Sequence, residues 1–315
     1  TMYLRHLLAI VSCLWSFLAA ADSVLGTPTA IKFSAVNELS GLVKSRRFDD
    51  VYWAHNDSGD QARLFAIDHL GKIIFPSFLA GEFHGEVSAR GKTPWPGLPI
   101  LVAANVDWED IAIDAEHIYI ADMGNNGNAR RDLGVYVIPE PNPRAVELTR
   151  PVSFLPIRYP EQREYPAKLW HYDSEALFVF QDKLYFITKH RQPGKISQFE
   201  AGAVLYRLDT RYTDRFNILT RVDDNPILSV ATGADVSPDG RYLAVISYRD
   251  LWLFEKPVAD DRWLSGTAYR LPLPWRESKQ VEAVAWTDNE QLVIGNEEGK
   301  LYWIARQAVP RYVAQ

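Results

Sequence analysis

Cys13 is the only cysteine in the 315 residues, and it lies in an N-terminal apolar stretch that reads as a removable export signal. A chain cut behind that stretch carries no thiol. That excludes a disulfide framework, a thiolate metal site and a cysteine nucleophile. Long segments with a 3.6-residue apolar period are missing past the N-terminus. Basic charge is also short: the formal net charge is −6, the wrong sign for a phosphate-backbone footprint, so a nucleic-acid partner is excluded. There is no Gly-x-Ser-x-Gly elbow, no His-Glu-x-x-His, no phosphate-binding glycine loop and no dinucleotide fingerprint. The fold must therefore stand on packing alone, or on packing plus a hard cation.

What is present is strand-like. Hydrophobic residues make up 47% and charged residues 23%, a balance that excludes disorder and low complexity. Short runs such as Ile118-Tyr119-Ile120-Ala121 and Tyr242-Leu243-Ala244-Val245-Ile246 are rich in β-branched and aromatic residues, so the chain is expected to be all-β. Residues 1–21 carry Arg5 and His6, an apolar core from Leu7 to Leu18, and Ala19-Ala20-Ala21 for cleavage, the layout of a secretory signal. The run is shorter than the roughly 20 residues of a spanning helix. A lipoprotein box at Ile10-Val11-Ser12-Cys13 fits poorly because the apolar core continues past Cys13. The expectation is an exported protein, periplasmic or secreted, not membrane-spanning after cleavage and monomeric, with residues 22–315 forming one domain.

A short pattern recurs along that domain: an acidic residue opening an apolar run. It appears as Asn37-Glu38-Leu39-Ser40-Gly41, Asp107-Trp108-Glu109-Asp110-Ile111-Ala112, Asp173-Ser174-Glu175-Ala176-Leu177, Ala234-Asp235-Val236-Ser237-Pro238 and Val281-Glu282-Ala283-Val284-Ala285. The acids are separated by 71, 66, 60 and 47 residues, so this is a repeat with variable loops. About four strand-like runs per unit is the pattern of a β-propeller blade. Five blades are expected, with residues 29–34 supplying the strand that the last unit lacks. A six-bladed ring with a degenerate blade in 76–106 is the alternative.

Blade geometry places the acids. If each acid opens an inner strand, then Glu38, Glu109, Glu175, Asp235 and Glu282 meet at the top of the central channel. Like charges that close must protonate, find donors or bind a cation. Oxygen-only donors suit Ca²⁺. The structural alternative is that each acid caps backbone N–H groups of a neighbouring blade and sets its register. The turns after the second strands share this face. One of them, His55-Asn56-Asp57-Ser58-Gly59-Asp60, is like a calcium loop in composition but lacks EF-hand spacing, and it could equally be a turn bonded to itself. His55 and Asp57 are the candidate proton acceptors, with His84, His171 and His190 as competitors. Arg130, Arg131 and Lys189, with His190, Arg191 and Lys195 nearby, could hold an anionic ligand or be solvated loop charge.

The motifs Glu38-Leu39-Ser40-Gly41-Leu42, Asp107-Trp108-Glu109-Asp110-Ile111-Ala112, Asp173-Ser174-Glu175-Ala176-Leu177 and Val236-Ser237-Pro238-Asp239-Gly240 resemble those of secreted bacterial β-propellers. The group is that of phytase-like and esterase-like propellers, gluconolactonases and paraoxonases; the last motif is also like a WD40-like repeat turn. The resemblance implies inner-strand carboxylates holding Ca²⁺ and a water or substrate oxygen. The chain departs from that group in showing five acidic motifs where those enzymes have six blades. The resulting expectation is a Ca²⁺-assisted hydrolase of an anionic ester or lactone. The alternative is a non-enzymatic envelope or extracellular module that binds a small ligand or a protein partner.

Overall fold

Five antiparallel sheets of four principal strands, arranged as the blades of a propeller, make up the computed structural model, which describes residues 24–86 and 89–314. The proposed signal segment lies outside the described residues. Inner strands run Leu39–Lys44, Trp108–Ile113, Trp170–Phe180, Ala231–Val236 and Val281–Trp286. Each is followed outward by its own antiparallel neighbours. Among the described residues no hydrogen-bonded ladder joins one principal sheet to the next inner strand, and the blades meet by packing. Five hydrophobic cores lie between successive blades: one and two, two and three, three and four, four and five, and five and one. Strands buried on both faces read as near-continuous apolar runs. That is why Tyr242–Ser247 and Val281–Trp286 have so little polar alternation. Trp53 and Trp108 fill the first of these cores at 0% exposure, where each large side chain contributes on the order of 2–3 kcal/mol.

The N-terminal strand completes the last blade. Thr29 pairs with Leu301 and Ala30 with Lys300, and Ile31 N donates to the Gly299 carbonyl. The strand itself spans Thr29–Ala30 rather than the whole expected run, because Ile31 and Phe33 turn inward to the core between blades five and one. Residues 76–106 do not form a blade. Phe83–His84 pairs in parallel with Thr93–Pro94, and Leu98–Pro99 adds to blade one's third strand. The chain around residue 219 serves two blades: Asn217–Ile218 joins the edge of blade two in parallel, while Thr220–Asn225 is the fourth strand of blade three.

The repeat has a sharper register than its acids suggested. Every inner strand carries a β-bulge against its second strand, with Ser40, Glu109, Glu175, Thr232 or Glu282 as the extra residue, and blade three has a second register shift between Trp170 and Asp173. A bulge re-aims a side chain at a sheet end. Glu38 sits two residues before this position, equivalent to Asp107 and Asp173, and Asp235 sits three residues after it. The acidic repeat is therefore a mixture of three structural positions.

Candidate metal centre at the channel mouth

The bulges turn side chains of successive blades toward one another. Ligand oxygens of Glu109, Asp173 and Glu175 lie within 4.8 Å of one another, as do those of Asp57, Asp107 and Glu109. Glu109 belongs to both sets. Asp-x-Glu occurs in blades two and three alone among the five motifs. In blade two both carboxylates crowd the same point, at Gly124. Asp57 comes from the turn after blade one's second strand, whose own bonds hold it: Ser58 N donates to Asp57 Oδ1 at 2.6 Å, and Asn56 Nδ2 to Asp60 Oδ2 at 2.8 Å. Asp57 N also donates to the Glu38 carbonyl at 2.9 Å.

These acids are not compensated equally. Glu175 is paired with the buried Lys189 ammonium and, at 3.4 Å, with Arg191; Arg191 also meets Asp173 at 3.0 Å. Burial raises the Glu175 carboxyl to about 7 even with Lys189 beside it. Glu175 and its neighbours in turn hold Lys189 charged against the cost of its own burial. Glu109 has no such partner. It is 7% exposed, and its carboxylate makes no hydrogen bond or ion pair among the described residues. Burial, then the charges of Glu175, Asp173, Asp107 and Asp57, push its carboxyl well above the ordinary range. Burial likewise lifts Asp107 to about 6.

Gly124 makes the close approach work. It lies in the turn after blade two's second strand, and a Cβ there would collide with the carboxylates of Glu109 and Asp107. The backbone thus forms a cradle under both acids. An all-oxygen set of clustered carboxylates, one of them buried without a partner, over a cradle a methyl group would fill, fits a hard divalent cation. The buried acidic cluster could hold a metal ion.

The structure does not bring all expected residues to this point. Glu282 is buried beside Glu297 and Tyr248 on blade five; Tyr248 Oη lies 3.3 Å from it, and burial followed by Glu175 raises its carboxyl. Glu38 is exposed and lines an open pocket of about 340 Å³ with Asp57, Asp60 and Arg63. Asp235 lines a separate pocket of about 290 Å³ beside Arg46, and accepts N–H groups of Val236 and Trp286 at 2.9 and 2.7 Å. His55 is 0% exposed, packed on Gly41 and edge-on to Trp108. Its Nδ1 donates to the Asn56 carbonyl, and burial lowers its pKa to about 4. Arg130 pairs with Asp122 at 2.9 Å and Asp132 at 3.1 Å, and donates to the Gly124 carbonyl. Arg131 is exposed, with its guanidinium 4.6 Å from the Tyr165 ring centre. His171 and His190 stack on each other at 3.9 Å on the side of blade three.

Asp107, Asp173 and Gly124 were not singled out as site residues from sequence. The signal for the two aspartates was there, in the shared Asp-x-Glu spacing. Gly124 carried none, because a backbone approach has no sequence signature. Arg191 was expected beside an anionic ligand and instead pairs with Asp173 and Glu175, a pairing across strands that spacing does not show.

No family model matches the sequence, and no curated protein matches it. Among solved structures the chain is similar in shape to luciferin-regenerating enzyme (10% identity, 91% of this chain and 79% of that one, TM-score 0.46). It is similar also to streptogramin B lyase (9%, 88% and 72%, 0.36) and to a protein assigned as a 6-phosphogluconolactonase from Bacteroides uniformis ATCC 8492 (12%, 87% and 69%, 0.39). Likeness at this level carries no role for any residue here.

Proposed function

We propose that this is an exported propeller whose channel mouth binds a divalent cation, Ca²⁺, and that the site serves hydrolysis of a small anionic ester or lactone. The observation that supports it is Glu109, a buried carboxylate with no hydrogen bond and no counter-cation, facing four more carboxylates. Asp57, Asp107 and Glu109 are the open donors, while Asp173 and Glu175 bring their own cations. A bound cation would supply polarisation of a substrate oxygen. The chain's own residues supply the rest. Asp57 borders the 340 Å³ pocket, and burial raises its carboxyl, which suits a proton acceptor better than the enclosed His55. Arg130 retains one Nη without a hydrogen bond among the described residues, and Arg131 is exposed; both are the choices to hold substrate charge. Lys189 acts as an internal counter-charge to Glu175.

The second reading is a binding module in which the cation staples blades one to three together. The low exposure of Glu109, Asp173 and Glu175, 7%, 0% and 6%, favours it. Calorimetric titration of chelator-stripped protein with Ca²⁺, followed by a panel of phosphate esters, carboxylic esters and lactones, separates the readings. Ca²⁺ binding with turnover that Glu109→Gln abolishes supports the hydrolase. Binding without turnover leaves the staple, and absence of binding ends both. Recovery of protein lacking residues 1–21 from the periplasm or medium tests export; an intact N-terminus in the cytosol would overturn it.

A further inference from the structure

A large cavity lies away from the channel, on the outer side of blade one. It has a volume of about 700 Å³, within the range of small-molecule pockets. Three separate segments line it: the closing segment with Lys32, the chain around blade one's outer strand with Lys72 and Phe75, and the excursion at 80–86 and 89–92 with Phe83, His84 and Lys92. The apolar wall is braced. Phe75 stacks on Trp95 at 5.5 Å and Phe83 meets it edge-on at 5.4 Å, with Trp95 itself 4% exposed. The pocket is therefore preformed rather than a gap between mobile side chains.

Its charge is opposite to that of the molecule. The chain carries −6 overall, yet three lysines line this cavity against one carboxylate, Glu86. Lys92 donates to the Ala80 carbonyl, while the side-chain ammonium groups of Lys32 and Lys72 make no hydrogen bond or ion pair among the described residues. His84 adds a polar group that is nine-tenths buried, at 9% exposure. Its Nδ1 lies 3.0 Å from the Glu86 carbonyl oxygen and, facing a carbonyl, must donate. That leaves Nε2 as the ring atom free to meet a ligand, an acceptor in the neutral ring and a donor in the charged one.

We infer that this cavity is a second ligand site, independent of the channel, that binds a small amphiphile with an anionic headgroup and an apolar body. The headgroup meets Lys32, Lys72 and His84, and the apolar part lies against Phe75 and Phe83. Carboxylate and phosphate headgroups share this chemistry, so both are tested.

The experiment titrates the full purified protein with decanoate, decyl phosphate and decyltrimethylammonium by calorimetry, below their micelle concentrations. At least one anion should bind, with the cationic amphiphile at least tenfold weaker; which anion binds more tightly identifies the headgroup. Lys32→Ala with Lys72→Ala, both on exposed side chains, should weaken the anion at least tenfold with an unchanged melting temperature. His84→Gln should weaken it less. Binding of neither anion, equal binding of the cation, or full affinity in the double-lysine variant would each overturn the site. Addition of EDTA should leave binding unchanged, so the outcome is independent of the channel mouth.

Discussion

Two sets of buried carboxylates lie along the inner strands, and their surroundings could hardly differ more. Asp110 is 0% exposed and accepts three backbone N–H groups: Ile111 at 2.8 Å, Leu177 at 2.7 Å and Ala234 at 3.0 Å. The last two belong to the inner strands of blades three and four, so one side chain spans the channel. Inner strands leave an edge of unpaired backbone groups toward the axis, and such groups must be satisfied. Asp110 does this for blades three and four, and Asp235 does it for blade five through Trp286 N. Ser40 and Thr232 do the same with hydroxyls, donating to the Glu109 and Val281 carbonyls at 2.9 and 2.7 Å. The carboxylate of Glu109, one residue from Asp110, accepts nothing among the described residues. Adjacent residues on one strand have thus been given opposite work: one ties the blades together and the other is left for an ion.

The small residues around Asp110 explain how it fits. The first paired residue after each bulge is Gly41, Asp110, Ala176, Gly233 or Ala283. Only blade two has a functional group there, and the others are too small to contest the channel.

The largest expected effect falls on the tying set. Asp110→Ala leaves two blades' N–H groups buried and unpaired, at about 1–3 kcal/mol each. It should lower urea-unfolding stability by about 4 kcal/mol, and a loss below 1 kcal/mol would break the comparison. Glu109→Gln should do the reverse in chelator, raising stability by about 1 kcal/mol, because it removes a repelled charge and no bond.

Next comes a pH effect. Burial raises the Asp235 carboxyl to about 6, above its unfolded value of about 3.8. A raised carboxyl contributes stability that is full below pH 3.8 and lost as pH rises through 6. The stability difference between wild type and Asp235→Asn should therefore fall by about 3 kcal/mol across that window. A constant difference in paired denaturation curves would show that Asp235 is not held protonated.

Metal addition acts on the other set. Ca²⁺ at 100 times its dissociation constant should add about 2.7 kcal/mol, read as a rise in melting temperature that EDTA reverses. Glu109→Gln should remove the rise, whereas Asp235→Asn should keep it. A smaller effect on the ion is expected at Gly124→Ala. Its added methyl must push Glu109 and Asp107 aside, weakening Ca²⁺ about tenfold, or about 1.4 kcal/mol, as measured by calorimetry.

The repeat, the five blades and the closing strand at residue 29 were legible in the chain, since strand periodicity and turn composition are local properties. The acids Glu109, Glu175 and Glu282 were legible too. Glu38 and Asp235 look like the same motif in print because each also opens an apolar run. Their places differ because one bulge residue per strand sets which side chain turns to the mouth, and a bulge is a relation between two strands.

The sequence by itself determined an all-β propeller with acids at its inner strands, because alternation, β-branching and turn residues act over a few positions. Only the tertiary structure decided which acids are partnered. Whether a carboxylate meets Lys189, the N–H groups of two other blades or nothing depends on residues 14 to 124 positions away, brought together by the fold. The cavity beside Lys32, Lys72 and His84 has the same origin, since its walls come from three segments that share no motif.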